Sequence, residues 1–368
     1  MARITRAEVF DPREVSVFHC LNRCVRRAFL CGSDPVSGKD YGYRKAWLED
    51  RLRFLAGCFG IDVLGFAVLS NHFHVILRNR PDVVEGWSDL EVARRWLRLC
   101  PFRQTEEGEP EEPTERELAF VCGDAEKLSL FRLRLSDISW FMRMAAERIA
   151  HRANAEDHCT GRFWEGRFKA VKLCDDAAIL ACSVYVDLNP LRAGCAATPE
   201  SSEHTSARLR IDELKAAGVR AGENAQDERI EPGVPRPRNS RCTPADWLAP
   251  LPLGERSPVG SVPSVLATRA SDKGFLPLPL GDYLDLLDWT GRQAAPGKRG
   301  VIPAHLKPIL ERVQIPAETW LELALGFGRL FHCVAGAPCS VARESARARR
   351  RFRAPGSRLL AASLVRCR

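Results

Sequence analysis

Apolar residues gather in three short stretches of the N-terminal region, and their spacing predicts β-strands. Residues 14–22 show partial alternation of apolar and polar positions, while residues 61–69 and 72–78 are dense in Val, Ile, Leu and Phe. Ser70 and Asn71 separate the last two stretches and favour a turn. The pattern therefore predicts one strand followed later by a β-hairpin.

Apolar residues at helical spacing predict four helices before residue 200. The predicted helices cover residues 43–59, 88–99, 136–153 and 176–189. Residues suited to capping stand at their ends: Gly60, Ser88, Ser136, and either Asp175 or Asp176. Strands and helices in this order predict an α+β domain over residues 1–200, with a largely antiparallel sheet flanked by helices. Residues 161–170 are predicted to be a loop that leads to the fourth helix.

The remaining organisation follows from changes in composition. Residues 100–125 form an acidic insertion that we expect to be largely an exposed loop. Residues 201–275 are rich in Pro, Ser, Gly and Arg, which predicts a linker or a loosely ordered region apart from a short helical stretch. Helical spacing returns over residues 276–342 and predicts a small helical module separate from the first domain. Residues 343–368 hold nine Arg and one acidic residue, which predicts a disordered tail.

Several classes of protein are excluded by composition. The chain has no run of 18 apolar residues and no apolar stretch at its N-terminus, so we expect a cytoplasmic protein without a membrane partner. Its fourteen cysteines include no Cys-x-x-Cys pair, which leaves a zinc ribbon or a thioredoxin-type site without support. In a reducing compartment these cysteines act as small buried side chains and scattered thiols.

The net charge of +8 is modest for 368 residues, so the distribution of charge matters more than its total. Residues 132–172 contain nine basic and five acidic residues, interleaved with Trp and Phe. Basic residues mixed with aromatic ones suit a surface that neutralises phosphates and stacks bases. The alternative is an amphipathic helix with a solvated charged face, and charge alone leaves both interpretations open.

The sequence His72-Phe73-His74 is the first candidate for chemistry. Residues i and i+2 of a strand point to the same face, about 6.5–7 Å apart along it. Both imidazoles can therefore converge on one metal ion, while Phe73 points into the apolar face. Taken alone, a His-x-His pair is weak evidence for a metal site and favours a structural or accidental origin.

Tyr185 is the second candidate, late in the predicted helix over residues 176–189. Asn189 follows it by four residues, which places both on one helical face, although Pro190 disfavours helical geometry at Asn189. A phenol beside a metal can attack a phosphodiester. Its ordinary pKa of about 10 means that it needs a metal, a base or a cation such as Arg192 to form the phenolate. The alternative is a tyrosine at the edge of the core.

Four segments together resemble the REP-associated tyrosine transposases, within the single-tyrosine insertion-sequence transposases that carry a His-hydrophobic-His motif. The segments are HCLNRCVRRAFL (19–30), SNHFHVILR (70–78), GRFWEGRFK (161–169) and YVDLNPLRAG (185–194). The resemblance covers roughly residues 10–210, and the motifs occur in the family's order. It implies a ferredoxin-like antiparallel sheet, single-stranded or hairpin DNA as substrate, and a covalent 5′-phosphotyrosyl intermediate.

The resemblance also implies roles for individual residues. His72 and His74 become ligands of a divalent metal, Tyr185 the nucleophile, and Asn189 a third ligand through its side-chain oxygen. Two imidazoles and an amide oxygen suit Mn²⁺ readily and Mg²⁺ acceptably, and zinc would also bind. The candidates for DNA contact, chosen for charge and for one stacking ring, are Arg23, Arg26, Arg27, Arg162, Trp164, Arg167, Lys169 and Arg192.

These observations favour a transposase that cleaves DNA and transfers the strand. Two alternatives stay open: a DNA-binding regulator on the same fold that does not cleave, and a metal-dependent phosphodiesterase in which water attacks. The acidic insertion and the region beyond residue 210 depart from the family pattern. The sequence leaves the recognised DNA sequence open, and it does not decide between a monomer and a homodimer.

Overall fold

A five-stranded sheet forms the centre of the protein in a computed structural model. The structure describes residues 11–25, 28, 30–35, 38–106, 110–227, 243–253, 263–293 and 305–366. The strands are β1 (Val17–Arg23), β2 (Ile61–Val68), β3 (His72–Asn79), β4 (Lys169–Leu173) and β5 (Val334–Ala335). Their order in the sheet is β2-β3-β1-β4-β5, with antiparallel pairing among the first four and β5 parallel to β4.

Helices cover both faces of this sheet. Their bounds are α1 Arg44–Cys58, α2 Pro81–Glu85, α3 Asp89–Leu99, α4 Glu115–Cys122, α5 Ala125–Leu135, α6 Ile138–Glu156, α7 Asp176–Asp187, α8 Asn189–Arg192, α9 Ser206–Asp227, α10 Leu280–Arg292, α11 Lys307–Arg312, α12 Trp320–Leu330 and α13 Pro338–Arg347. Short 3₁₀ helices span Pro199–Ser201, Ala317–Thr319 and Pro355–Arg366. Strands β1 to β4 follow the βαββαβ order of a ferredoxin-like sheet. The predicted α+β class, with helices flanking the sheet, is confirmed, and β5 makes the sheet mixed.

The two faces of the sheet bury two apolar clusters. One face packs on α1 and on α3 to α6, with Phe18, Phe66 and Phe73 in the contact. The other face packs on α7 and on α10 to α12, with Leu64 and Ile76 in the contact. Because β2 and β3 are covered on both sides, their residues form nearly continuous apolar runs rather than a strict alternation. Within the described residues, no helix is both long and apolar enough to cross a bilayer.

Strand β4 was not predicted, since residues 161–170 were assigned to a loop and residues 171–174 to no element. Its five residues, Lys-Ala-Val-Lys-Leu, carry too weak an apolar pattern to indicate a strand. Pairing along β1 forms it instead, with Lys169 opposite Leu21 and Leu173 opposite Val17. The strand therefore depends on a partner about 150 residues away in sequence rather than on local propensity.

The predicted caps are partly corrected. Ser88 and Asp175 accept hydrogen bonds from the first turns of α3 and α7, as predicted. Ser136 instead ends α5, and Asp137 caps α6 through the backbone N–H of Ser139. Gly60 does not adopt a left-handed C-cap conformation. A Cβ there would lie 2.1 Å from Cγ2 of Val84, so close packing is what requires glycine at this position.

The region predicted to be a linker differs from that prediction where the structure describes it. Trp247 is fully buried, and Leu248 forms a parallel bridge with Val63 on the outer edge of β2. Thr205 bridges Ala67 on the same edge. A few large apolar residues among prolines are enough to bury this segment, although their spacing shows no period. The segment covers an edge that would otherwise expose unpaired backbone groups.

The C-terminal helices were predicted correctly as helices, but they share their core with the first domain. Tyr283, Trp320 and Phe327 are fully buried in the same cluster as Leu180 and Val184 of α7. The predicted disordered tail also has structure. Phe352 and Leu360 are buried, and Lys172 of β4 forms an ion pair of 2.9 Å with Glu344 of α13. The many arginines of this tail surround a small number of anchoring apolar residues.

A buried ion network joins the sheet to the segment around residue 271. The Asp62 carboxylate accepts from Nε of Arg78 at 2.9 Å, from Nη1 of Arg80 at 3.4 Å and from the backbone N–H of Ser271 at 3.0 Å. The side chains of Asp62, Arg78 and Arg80 are at most 7% exposed. Removal of the carboxylate would leave Arg78 buried without a carboxylate partner, whereas Arg80 would keep its ion pair of 2.8 Å with Asp82.

We expect Asp62→Asn to lower the free energy of unfolding by about 3–5 kcal/mol, measured by chemical denaturation. The control is Asp288→Asn, which breaks the exposed pair with Arg292 and should cost less than about 0.5 kcal/mol. Equal losses of unfolding free energy in the two variants would show that the Asp62 network does not hold the segment around residue 271 in place.

Candidate active site

A cleft of about 400 Å³ opens on the face of the sheet that packs against α7 and α12. Strands β1, β3 and β4 form its floor, and residues of α7, α8 and α12 form its walls. The period of two along each strand decides which side chains enter the cleft. Three alternate residues of β1, namely His19, Leu21 and Arg23, lie beside His72 and His74 of β3.

His72 and His74 face the same cleft, as the strand spacing predicted. Their ring centroids are 5.0 Å apart, and Leu21 and Arg23 are their register partners on β1. Phe73 points to the other face, where it is fully buried against Trp164. The structure therefore brings the two imidazoles together, while their ligation of a metal stays a prediction.

His19 is a third imidazole of this cleft, and it was missed by the sequence analysis. Its Nε2 lies 2.8 Å from Nδ1 of His74, and the two rings stack with centroids 5.1 Å apart. The sequence does show that His19, Leu21 and Arg23 alternate along one strand and so share a face. Only the pairing of β1 with β3 shows that this face is also the face of His72 and His74.

Hydrogen bonds occupy the Nδ1 atoms of both β3 histidines. Nδ1 of His72 lies 2.6 Å from Oδ1 of Asn71, and because a carbonyl oxygen only accepts, His72 carries its proton on Nδ1. Nδ1 of His74 is bonded to His19, and its Nε2 is buried without a partner among the described residues. Each ring thus leaves Nε2 unused, which is the arrangement that orients a metal-binding imidazole.

Burial keeps these imidazoles neutral. Desolvation lowers the pKa of His19 to about 4. Desolvation, with a smaller contribution from Arg23, lowers the pKa of His72 to about 4. Desolvation and then the neighbouring His19 hold the pKa of His74 well below its ordinary value. At neutral pH each ring therefore retains the lone pair that a metal ion requires.

Tyr185 lies across the cleft from the imidazoles at the C-terminal end of α7. Its half-buried ring meets those of His74 and His19 edge-on, with centroids 5.7 Å and 6.0 Å away. The guanidinium of Arg192 stands 5.3 Å from the centre of the phenol ring. Residues predicted from separate segments are thus gathered around one cavity.

Asn189, the predicted third ligand, is not brought to this cleft. Its side-chain amide donates to the backbone oxygen of Tyr185 at 3.0 Å, and it does not line the cavity. Asn189 begins the short helix α8, with Pro190 at the next position, so it does not continue the face of α7 that carries Tyr185. Within the described residues, no group of three His, Cys, Asp or Glu side chains forms a metal site.

Four cations line the cleft. Arg23, Lys169 and Arg192 were predicted to contact DNA, and Arg329 of α12 is an addition. Where the chain is described, none of the four forms an ion pair, and no Asp or Glu lines the cavity. Nε of Arg23 is buried without a partner there. An unneutralised cluster of this kind attracts anions such as phosphates.

The other predicted DNA contacts lie elsewhere. Arg167 lines a neighbouring depression, and Arg162 is exposed outside the cleft. The structure does not support the prediction that Trp164 is a stacking platform for DNA. Trp164 is only 9% exposed, and its indole N–H donates to the backbone oxygen of Ala146 at 2.8 Å. Its packing on Phe73 makes it part of the core rather than an open stacking platform. Arg26 and Arg27 lie outside the described residues.

Helix α12 contributes a wall that the sequence did not indicate. The ring of Phe327 stands 5.8 Å from Tyr185 and 6.2 Å from His19. A Cβ on Gly328 would lie 2.6 Å from the hydroxyl oxygen of Tyr185 and 3.2 Å from Cζ. Glycine is therefore required at this position for the phenol to occupy its present place.

Comparison with known proteins gives little further support. No family model matches the sequence, and no curated protein matches it either. The solved structure of a REP-associated tyrosine transposase bound to a REP hairpin is similar at 14% identity with a TM-score of 0.33. That match covers 59% of this chain and 87% of the other. Similarity at this level supports no conclusion about the site. Conclusions about the site therefore rest on the geometry of the cleft.

We expect Gly328→Ala to displace the phenol of Tyr185 with little loss of stability, because alanine favours a helix by about 1 kcal/mol over glycine. The measurement is ¹⁹F NMR of protein labelled with fluorotyrosine, in which the Tyr185 signal should move and the Tyr283 signal should not. Gly281→Ala is the matched control, since a Cβ there meets nothing within 4 Å. An unmoved Tyr185 signal in Gly328→Ala would contradict the contact.

Proposed function

We propose that the protein cleaves single-stranded or hairpin DNA and transfers the strand through a 5′-phosphotyrosyl intermediate on Tyr185. The observation that carries the proposal is the meeting in one cleft of a phenol, two neutral imidazoles and four cations that form no ion pair among the described residues. Nε2 of one of these imidazoles, His74, is buried there without a partner. A tyrosine with only a packing role would not need imidazoles and cations around it. A cleft lined by cations without carboxylates suits a polyanionic substrate.

The cations give the cleft its affinity for the backbone of DNA. Arg23 and Lys169 stand on the floor, at the end of β1 and the beginning of β4, and Arg192 and Arg329 stand on the walls. A phosphate among them would be held close to the phenol of Tyr185. Holding the two reacting groups at a fixed distance supplies a large part of the rate enhancement in such reactions.

The reaction exchanges one phosphoester for another. The oxygen of Tyr185 attacks the phosphorus, the bond from phosphorus to the 3′ oxygen breaks, and the 3′ oxygen leaves with a proton. The phenol proton passes to solvent. Because the phosphotyrosyl bond conserves the ester, the 3′-hydroxyl of another strand can reverse the step and join the strands without ATP.

A divalent metal, Mg²⁺ or Mn²⁺, fits the residues that are present. His72 and His74 would hold it through their Nε2 atoms, and the unpartnered Nε2 of His74 is the observation that supports this. When bound, such an ion acts as a Lewis acid that polarises a non-bridging phosphate oxygen. His19 would orient His74 through Nδ1, in the manner of outer-shell partners of metal-binding histidines. Asn189, whose side chain does not line the cleft, is not part of this proposed metal site.

Tyr185→Phe should abolish the covalent protein–DNA adduct and leave DNA binding within about twofold, because only the hydroxyl is lost. The adduct is measured as labelled DNA that stays with the protein after denaturation. Tyr43→Phe is the control, since Tyr43 is exposed and lies outside the cleft. Cleavage retained by Tyr185→Phe would indicate attack by water, and binding without cleavage by the wild type would indicate a regulator.

His72→Ala and His74→Ala should each weaken Mn²⁺ binding by at least about tenfold, measured by titration calorimetry or by electron paramagnetic resonance. His332→Ala is the matched control, because His332 lines the same cleft but is exposed. Chelation of divalent ions should stop adduct formation by the wild type, and added Mn²⁺ should restore it. Equal Mn²⁺ affinity in all three variants would remove the histidine pair from the metal site.

A further inference from the structure

A second groove, of about 500 Å³, lies on the other face of the sheet between α6 and the segment before β4. Three aromatic residues line it, namely Trp140, Trp164 and Phe168. Asn22 of β1 contributes from the sheet, since it alternates with the residues that face the cleft. The reaction proposed for Tyr185 makes no use of this groove.

A smaller depression borders both the groove and the cleft. It measures about 130 Å³, lies at the end of β1 and the beginning of β4, and has Glu165 among its lining residues. It shares Arg23 and Lys169 with the cleft, and it shares Asn22 and Arg167 with the groove. A strand that leaves the cleft along the cations would therefore pass around the end of the sheet and reach the groove.

The charges of the two cavities differ in a way that indicates their occupants. The cleft has cations and no acidic lining residue, whereas the groove has Arg143 and Arg167 balanced by Asp137 and Glu147. A balanced charge does not favour a phosphate. Apolar walls with a few polar groups instead fit a nucleobase, which has an apolar face and a polar edge.

Two residues of the groove are suited to hold a base. Trp140 is partly exposed, whereas Trp164 is fixed in the core. Two guanidinium groups lie over the Trp140 ring, Arg134 at 4.4 Å and Arg143 at 5.2 Å from its centre. Of these two, only the exposed Arg143 lines the groove, so a base reaches the ring by lying between Trp140 and Arg143 or by displacing that arginine. Asn22 is only 5% exposed, and its Oδ1 accepts from the backbone N–H of Arg23 at 3.1 Å. Its Nδ2 makes no hydrogen bond among the described residues and is not one of their fully buried atoms, so it can donate to a molecule in the groove.

We infer that this groove binds a nucleobase of the same DNA strand whose phosphate lies in the cleft. The base stacks on Trp140, and the amide of Asn22 donates to an acceptor on its edge. This inference rests on the proposed function, because it requires DNA in the cleft. It adds a site that selects the strand a few nucleotides from the bond that is cut.

The test uses the Tyr185→Phe variant, which binds DNA without consuming it. Oligonucleotides with one abasic position, moved stepwise along the strand, are compared with the intact strand by fluorescence anisotropy. We expect one position at which loss of the base weakens binding by about 5- to 100-fold. Adding Trp140→Ala should remove that dependence on position, and Trp140→Phe, which keeps an aromatic ring, should retain most of it.

Two controls separate stacking from loss of structure or of charge. Trp289→Ala truncates a partly buried tryptophan that lies outside the cleft and the groove, and it should leave the abasic profile unchanged. Lys169→Ala should flatten the log–log salt dependence of binding by about 0.7, whereas Trp140→Ala should leave that slope unaltered. A flat abasic profile, or a profile that persists in Trp140→Ala, would overturn the inference and leave the cleavage proposal standing. Absence of DNA binding by every variant and by the wild type would overturn both.

Discussion

Strand β1 is the constraint on which the site depends, because it pairs with β3 along one edge and with β4 along the other. This double pairing sets His19 beside His74, Arg23 opposite His72 and Lys169 opposite Leu21. A shift of one residue in the register would send His19 and Arg23 into the apolar core and bring Phe18 and Asn22 to the cleft. The buried apolar face of β1 therefore fixes the chemistry of the opposite face.

Among the described residues, four buried side-chain polar atoms have no partner, and two of them lie in the cleft; the other two are Nε1 of Trp247 and Oγ of Ser357. Elsewhere, buried charges have partners: Asp62 binds two arginines, and Lys172 pairs with Glu344. In the cleft, Arg23 keeps a buried Nε without a partner and His74 keeps a buried Nε2. Each unsatisfied group of this kind costs about 1–3 kcal/mol. Local departures from satisfied bonding are typical of functional sites, where a ligand completes them.

The parts that the sequence predicted are those whose pattern is local. The β2–β3 hairpin follows from two apolar runs around a polar turn, and it placed His72 and His74 on one face before any contact was known. Helix α7 follows likewise from its cap and its apolar run, and it located Tyr185. Strand β4, His19 and Gly328 could not be predicted in this way. Their roles arise from pairing and packing between segments that are distant in sequence, and Asn189 shows that spacing alone misplaces a residue beside a proline.

The C-terminal half shows why composition misled the prediction of separate modules. Residues after 201 contain few apolar side chains at regular spacing, yet Trp247 and Leu248 cover the edge of β2, and Trp320 and Phe327 cover α7. Without them, the face that carries Tyr185 would expose Leu180 and Val184 of α7, which are fully buried.

The same packing places Gly328 against the hydroxyl of Tyr185 and Arg329 in the cationic wall. A segment that closes the core on one side and shapes the cleft on the other cannot change its packing without moving the phenol. Stability and the position of the reactive group are therefore coupled through α12, and a substitution in that helix acts on both.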